Sequence, residues 1–166
     1  MSLAVIIDES IVIALFFSLG LIIGSFLNVC IYRLPRGESV VFTPSHCTNC
    51  GCRIGARDLV PLLSYLWLKG RCRSCGMLIS PLYPFIELLT GLLFAAAYLH
   101  SGLTTLLLKQ LFLIAILVVV SLIDLKYYII PDRMIIFSLA CGILLNLSAR
   151  DEVDRSPHDK PVRLPD

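Results

Sequence analysis

Residues 10–31 form a run of 22 residues without one charged side chain. As a helix this run extends about 33 Å, enough to cross the roughly 30 Å hydrocarbon layer of a bilayer. Further apolar runs follow. Residues 81–99 carry a single acid, Glu87, and residues 103–123 hold Lys109 and Gln110 near one end and stop at Asp124. Residues 134–149 make a fourth run of 16 residues, slightly short for a full span. Hydrophobic residues are 57% of the chain and charged residues 16%, against about 45–50% and about 25% in soluble domains. These runs predict an all-α polytopic membrane protein with about four transmembrane helices, and exclude a water-soluble monomer.

The distribution of cations orients the helices. No Lys or Arg precedes Arg33, whereas Arg33, Arg36, Arg53, Arg57, Lys69, Arg71 and Arg73 face only Glu38 and Asp58 in the segment that follows. The positive-inside rule then places this loop in the cytoplasm and the N-terminus outside. Asp8 and Glu9 stand where a signal peptide needs cations, so the first run is expected to stay in the membrane. A net charge of +2 excludes nucleic acid as a partner and leaves membrane lipid. The expected organisation is a first transmembrane helix over 1–32, a cytoplasmic cysteine-rich domain over 33–80, three transmembrane helices over 81–149 and a disordered charged tail over 150–166. Within the loop, the apolar residues 59–68 are too few to span. They read as an interfacial or re-entrant segment anchored by Trp67.

Five of the seven cysteines lie in this loop. Cys47-Thr48-Asn49-Cys50-Gly51 and Cys72-Arg73-Ser74-Cys75-Gly76 are two C-x-x-C-G knuckles 21 residues apart, at the edge of the roughly 15–20-residue spacing of tetrathiolate zinc sites. A glycine after each second cysteine permits a left-handed turn that faces backbone N–H groups toward a thiolate. Cys47, Cys50, Cys72 and Cys75 are therefore expected to close a tetrahedral shell around a structural zinc. Two disulfides or four free thiols are the alternative, and a cytoplasmic location disfavours disulfides. Cys52 is a spare thiol, His46 a substitute ligand, and Cys30 and Cys141 read as packing residues.

Carboxylates at or inside apolar spans are costly and mark function by default. Thirteen apolar or small residues lead directly to Asp124. A carboxylate there is expected to be partly desolvated, with its pKa raised. The competing reading is an interfacial charge partnered by Lys126 or Arg133. Asp132 follows Pro131 and reads first as a helix N-cap. Glu87 fits either a buried ion pair or a substrate-site group. Hydrolysis by carboxylates needs two that share a proton, so one Asp is not sufficient.

Several linked stretches resemble the bacterial prepilin peptidases, the type IV leader peptidase family of membrane aspartic peptidases. Gly24-Ser25-Phe26-Leu27-Asn28-Val29 with Tyr32-Arg33-Leu34-Pro35 looks like the family's first-helix motif. The paired C-x-x-C loop with residues 58–65 between its knuckles is similar to its cytoplasmic domain. Ile79-Ser80, Tyr83-Pro84, Glu87-Leu88-Leu89-Thr90-Gly91, Ile123-Asp124 and Ile130-Pro131-Asp132 also match, so that the likeness runs over about residues 10–147. The resemblance implies an inner-membrane endopeptidase that cuts the leader peptide from type IV prepilins or type II secretion pseudopilins. It also implies N-methylation of the new terminus with S-adenosylmethionine, whose site transfers to no named residue. Asp124 matches the first of two catalytic aspartates. The second belongs to a Gly-x-Gly-Asp motif that these 166 residues do not contain. A chain truncated before that motif is therefore expected. Its missing carboxylate would come from a second chain or another copy. The alternative is a catalytically inactive remnant that binds prepilins as a membrane module.

Overall fold

The computed structural model describes residues 3–41, 44–128, 135–136 and 138–143. Its elements in order are α1 (Leu3–Arg33), a 3-10 turn (Leu34–Arg36), a second 3-10 turn (Ala56–Leu59), α2 (Leu63–Trp67), α3 (Leu82–Ser101) and α4 (Thr105–Tyr127). Among the described residues there is no strand, only isolated bridges. Among the described residues, three helical stretches are long and apolar enough to cross a membrane: Glu9–Arg36, Leu82–Ser101 and Thr105–Tyr127. They coincide with the first three expected spans. This is the architecture of a multi-pass membrane protein. In the second compact unit, residues 132–166, the described residues 135–136 and 138–143 are helical, and the Ser138 hydroxyl donates to the Ile135 carbonyl at 2.9 Å. The rest of the expected fourth span, Asp132, Arg133 and the tail lie outside the described residues.

Each helix end has a local cause. Pro35 cannot continue α1, and Gly37 takes φ +68° so that its N–H returns to the Leu34 carbonyl at 3.1 Å. Pro81 and Pro84 sit where α3 begins, where a missing N–H costs nothing. Gly102 at φ +60° stops α3 and lets α4 turn back, with its N–H on the Tyr98 carbonyl at 2.8 Å. The Ser101 hydroxyl donates to Gln110 Oε1 at 2.7 Å, tying the two helices at this turn.

Helix α1 packs along α3, and α4 rests against both. The α1–α3 contact is made by small residues. A Cβ on Gly20 would lie 2.7 Å from Gly91 Cα, and one on Gly24 would lie 2.8 Å from Glu87 Cα. Gly20 and Gly24 are one helical turn apart, the G-x-x-x-G spacing by which membrane helices approach backbone to backbone. Polar groups lock the same seam. Asn28 is buried and its Nδ2 donates to the Tyr83 carbonyl at 3.0 Å. Thr90, fully buried, satisfies its hydroxyl on the Ile86 carbonyl at 2.8 Å. At the other end Phe94, Ala97, Leu107 and Leu111 form the core, flanked by Phe16 and Tyr98, whose rings stack with centroids 5.0 Å apart. Leu15, Leu19, Ile22 and Phe26 line the outer side of α1, an apolar stripe suited to lipid and not to water.

Because Gly24 meets backbone, no rotamer change makes room for a larger residue. Gly24→Ala is expected to destabilise the bundle by about 1–3 kcal/mol, read as a shifted midpoint when the helices are unfolded in SDS. Ile22→Ala, on the exposed side of the same turn, is expected to leave the midpoint nearly unmoved.

Candidate functional site

The cysteine loop is built from two copies of one backbone pattern. The N–H of Gly51 donates to the Cys47 carbonyl at 2.9 Å, and that of Gly76 to the Cys72 carbonyl at 2.9 Å. Cys47 N–H reaches the Cys52 carbonyl at 2.9 Å, and Cys72 N–H reaches Met77 at 2.8 Å. His46 bridges Arg53, and Arg71 bridges Leu78, in the same antiparallel way. Both knuckle glycines adopt φ +70°, the left-handed turn that their position after the second cysteine predicts.

Folded together, the knuckles bring the sulfurs of Cys47, Cys50, Cys72 and Cys75 within 4.8 Å of one another, with Cys47 Sγ 3.9 Å from Cys75 Sγ. A tetrahedron of 2.3 Å zinc–sulfur bonds has edges of about 3.8 Å, so the four thiols would close on a zinc ion with side-chain shifts of about 1 Å or less. All seven cysteines are free thiols. Cys52 and His46 stay outside the four-sulfur set, the ring Nδ1 of His46 lying 3.3 Å from the Pro44 carbonyl.

The electrostatics suit thiolates. Backbone N–H groups of Cys50 and Asn49 lower the Cys47 thiol to about 6. The N–H of Met77, and then the Asn49 amide 3.7 Å from its sulfur, lower Cys75. Cys50 is pushed up to about 12. The N–H of Cys52 opposes that rise, but lost hydration and the neighbouring Cys52, Cys47 and Cys75 sulfurs outweigh it. The first protons leave easily and the last does not, because adjacent thiolates repel; a divalent cation removes that repulsion. A bidentate pair braces the second knuckle, with Arg73 Nη2 2.6 Å and Nε 2.9 Å from the Asp58 carboxylate. The guanidinium holds the Asp58 carboxyl below the usual carboxylate range.

Glu87, left open between two roles by the sequence, forms no ion pair among the described residues. It is buried in the α1–α3 seam, and its Oε2 accepts the backbone N–H of Leu62 at 2.9 Å. Leu62 sits at φ +57°, a conformation a branched residue adopts only when held. The carboxylate thus anchors the start of α2 to the membrane helix. Arg33 does similar work at the end of α1. It is buried and donates to the carbonyls of Ser39 at 3.1 Å and Pro44 at 3.2 Å, folding the loop back over the helix.

Asp124 lies near the end of α4, which continues past it to Tyr127. Its backbone carbonyl accepts the N–H of Tyr128 at 2.8 Å. Asp124 is exposed, whereas Ile123 beside it is fully buried. Lys126 lies 5.4 Å over the Tyr127 ring, and the ion pair formed among the described residues is Asp58–Arg73. The other weighed partner, Arg133, lies outside the described residues.

Arg36, just beyond α1, stacks 3.8 Å over Tyr32 and donates to the Tyr127 hydroxyl at 3.2 Å. This contact joins the ends of α1 and α4. Asp124 therefore lies at the end of the bundle from which the cysteine loop leaves. Sequence reading missed Arg36 and the G-x-x-x-G pair; the spacing of Gly20 and Gly24 was a visible signal, whereas a contact between residues 91 positions apart was not.

Comparison with known proteins adds the following. Residues 18–101 match the family model described as the Bacterial Peptidase A24 N-terminal domain, and residues 111–156 match the Type IV leader peptidase family. A prepilin leader peptidase/N-methyltransferase of Myxococcus xanthus is 46% identical over 129 residues, covering 78% of this chain and 38% of that protein. One of Klebsiella pneumoniae is 42% identical over 136 residues, 78% of this chain and 60% of that protein. One of Bacillus subtilis is 38% identical over 127 residues, 76% of this chain and 51% of that protein. The chain thus spans about half the length of the curated relatives it matches. No solved structure matches it.

Proposed function

Because this chain belongs to the type IV leader peptidase family, we propose that it acts in removing leader peptides from type IV prepilins or type II secretion pseudopilins. The observation that carries this reading is that the matched stretches run through both the N-terminal domain and the segment containing Asp124. In this reading Asp124 is one of two carboxylates sharing a proton. The ionised member takes a proton from water while the protonated member polarises the peptide carbonyl. The second carboxylate is assigned to no described residue. The exposure of Asp124 at the helix end leaves it open to both that partner and a substrate.

Cys47, Cys50, Cys72 and Cys75 would hold a structural zinc, which supplies cross-linking of the two knuckles and, with its shell closed by sulfur, no activated water. The relatives' names include N-methyltransferase, which points to S-adenosylmethionine as the methyl donor; no described residue is assigned to it. The excess of cations between Arg33 and Arg73 supports an inner-membrane placement with the cysteine loop cytoplasmic and the N-terminus outside.

The test is cleavage of a prepilin by membranes that carry this chain, alone and beside a full-length relative. Production of the shortened pilin in the first sample is the expected result when a partner carboxylate is present there. An uncut prepilin whenever this chain is the source of Asp124, while the full-length relative cuts it in the same membranes, would overturn the reading.

A further inference from the structure

We propose that α2 is a membrane-docking element whose apolar face enters the headgroup–acyl boundary of the bilayer that α3 crosses. Its occupant would be lipid with an anionic headgroup. Leu63, Leu66 and Trp67 stand at helical positions that share one face, and they are 66%, 71% and 84% exposed. Leu59 and Val60, just before the helix, are exposed as well. The residues of the other side are engaged within the loop. The Tyr65 ring lies against Gly70, where an added Cβ would come 2.9 Å from its Cζ, and the Ser64 hydroxyl donates to the Val60 carbonyl at 2.7 Å. The outward apolar face is thus left without a protein partner among the described residues.

Two observations identify what covers it. The first is depth. The N–H of Leu62, the residue before α2, is bound to Glu87 Oε2 at 2.9 Å. Glu87 lies in the second turn of α3, about 7–8 Å along the axis from its start. Its side chain leans back toward the helix N-terminus. Leu62 is therefore held level with the first turns of a membrane-crossing helix, the depth at which interfacial helices bury about 5–10 Å of their apolar side. The second is charge. Lys69 and Arg71, both exposed, follow Trp67 two and four residues on, and residues 59–73 contain no Asp or Glu. An apolar face with Trp at its edge and cations beside it matches an anionic lipid surface. Docking would fix the zinc knuckles at the membrane surface on a second point, separate from the covalent connections to α1 and α3.

Trp67 is the single tryptophan of the chain, so its fluorescence reports α2 alone. The full chain, loaded with zinc, is placed in nanodiscs of phosphatidylcholine and phosphatidylglycerol, with both faces open to solvent. Bromine on the acyl chains close to the glycerol is expected to remove about half of the emission, while soluble iodide removes little. Leu66→Glu is expected to expose Trp67 to iodide with bound zinc unchanged. Lys69→Glu with Arg71→Glu is expected to do so in part, and replacing phosphatidylglycerol by phosphatidylcholine should mimic that pair. A water-like emission quenched by iodide and indifferent to brominated lipid would overturn the proposal. Emission that depends on the protein-to-lipid ratio and not on the brominated fraction would also overturn it, by showing that another copy covers the face. Loss of zinc in Leu66→Glu would leave the brominated-lipid result on the unaltered chain to decide.

Discussion

Asn in place of Asp124 is expected to abolish prepilin cleavage wherever this chain provides that carboxylate, a loss of about 10³–10⁴-fold or more. The amide keeps the size of the side chain and loses the proton exchange on which an aspartic pair depends. Asp124 is exposed and its bond to Tyr128 is made through its backbone carbonyl, so the substitution leaves the α4 end intact. Helicity and zinc content should therefore be unchanged while cleavage disappears. Mixing the variant with unaltered chain tests whether another copy supplies the second carboxylate. If two copies supply it, the variant poisons the mixture beyond simple dilution. If a different polypeptide supplies it, activity falls only in proportion to the unaltered chain. Cleavage that survives Asp124→Asn would remove this residue from the chemistry.

Stripping zinc from the loop is expected to have the largest structural effect. The knuckles have almost no apolar core, since Met77 and Leu78 are more than half exposed and the turns rest on backbone bonds. Structural zinc sites contribute about 10–16 kcal/mol of binding energy, and that energy is folding energy for such a segment. The purified chain should carry one zinc, and Cys47→Ser or Cys75→Ser should lower its affinity by orders of magnitude. Chelation should erase hydrogen-exchange protection at the Gly51 and Gly76 amides and leave α1, α3 and α4 helical. Cys52→Ser, outside the four-sulfur set, should keep its zinc. Lowering the pH should release the metal, because protons compete for the thiolates. A chain without zinc whose knuckle amides stay protected would show that the backbone pattern suffices.

The two predictions differ in how far the sequence supports them. The tetrathiolate was legible as spacing, because a C-x-x-C-G knuckle is a local structure and the pairing of two knuckles leaves few arrangements. The structure adds that Cys52 and His46 are excluded and that Asp58 and Arg73 brace the assembly. Asp124 was legible as a charge ending an apolar run, but its surroundings were not. Its exposure in the fold depends on where neighbouring helices stop, which no apolar run records.

The sequence by itself determined the membrane class, three of the spans and the thiolate set, because each depends on residue type at short spacing: apolar runs set by bilayer thickness, and sulfur pairs set by the reach of one turn. Only the tertiary structure decided what Glu87, Asn28 and Arg33 do. Each is a polar group inside an apolar seam whose partner is a backbone group remote in sequence or beyond the helix end. No periodicity records such a partner, and its identity follows from the close approach of α1 and α3 that Gly20 and Gly24 allow.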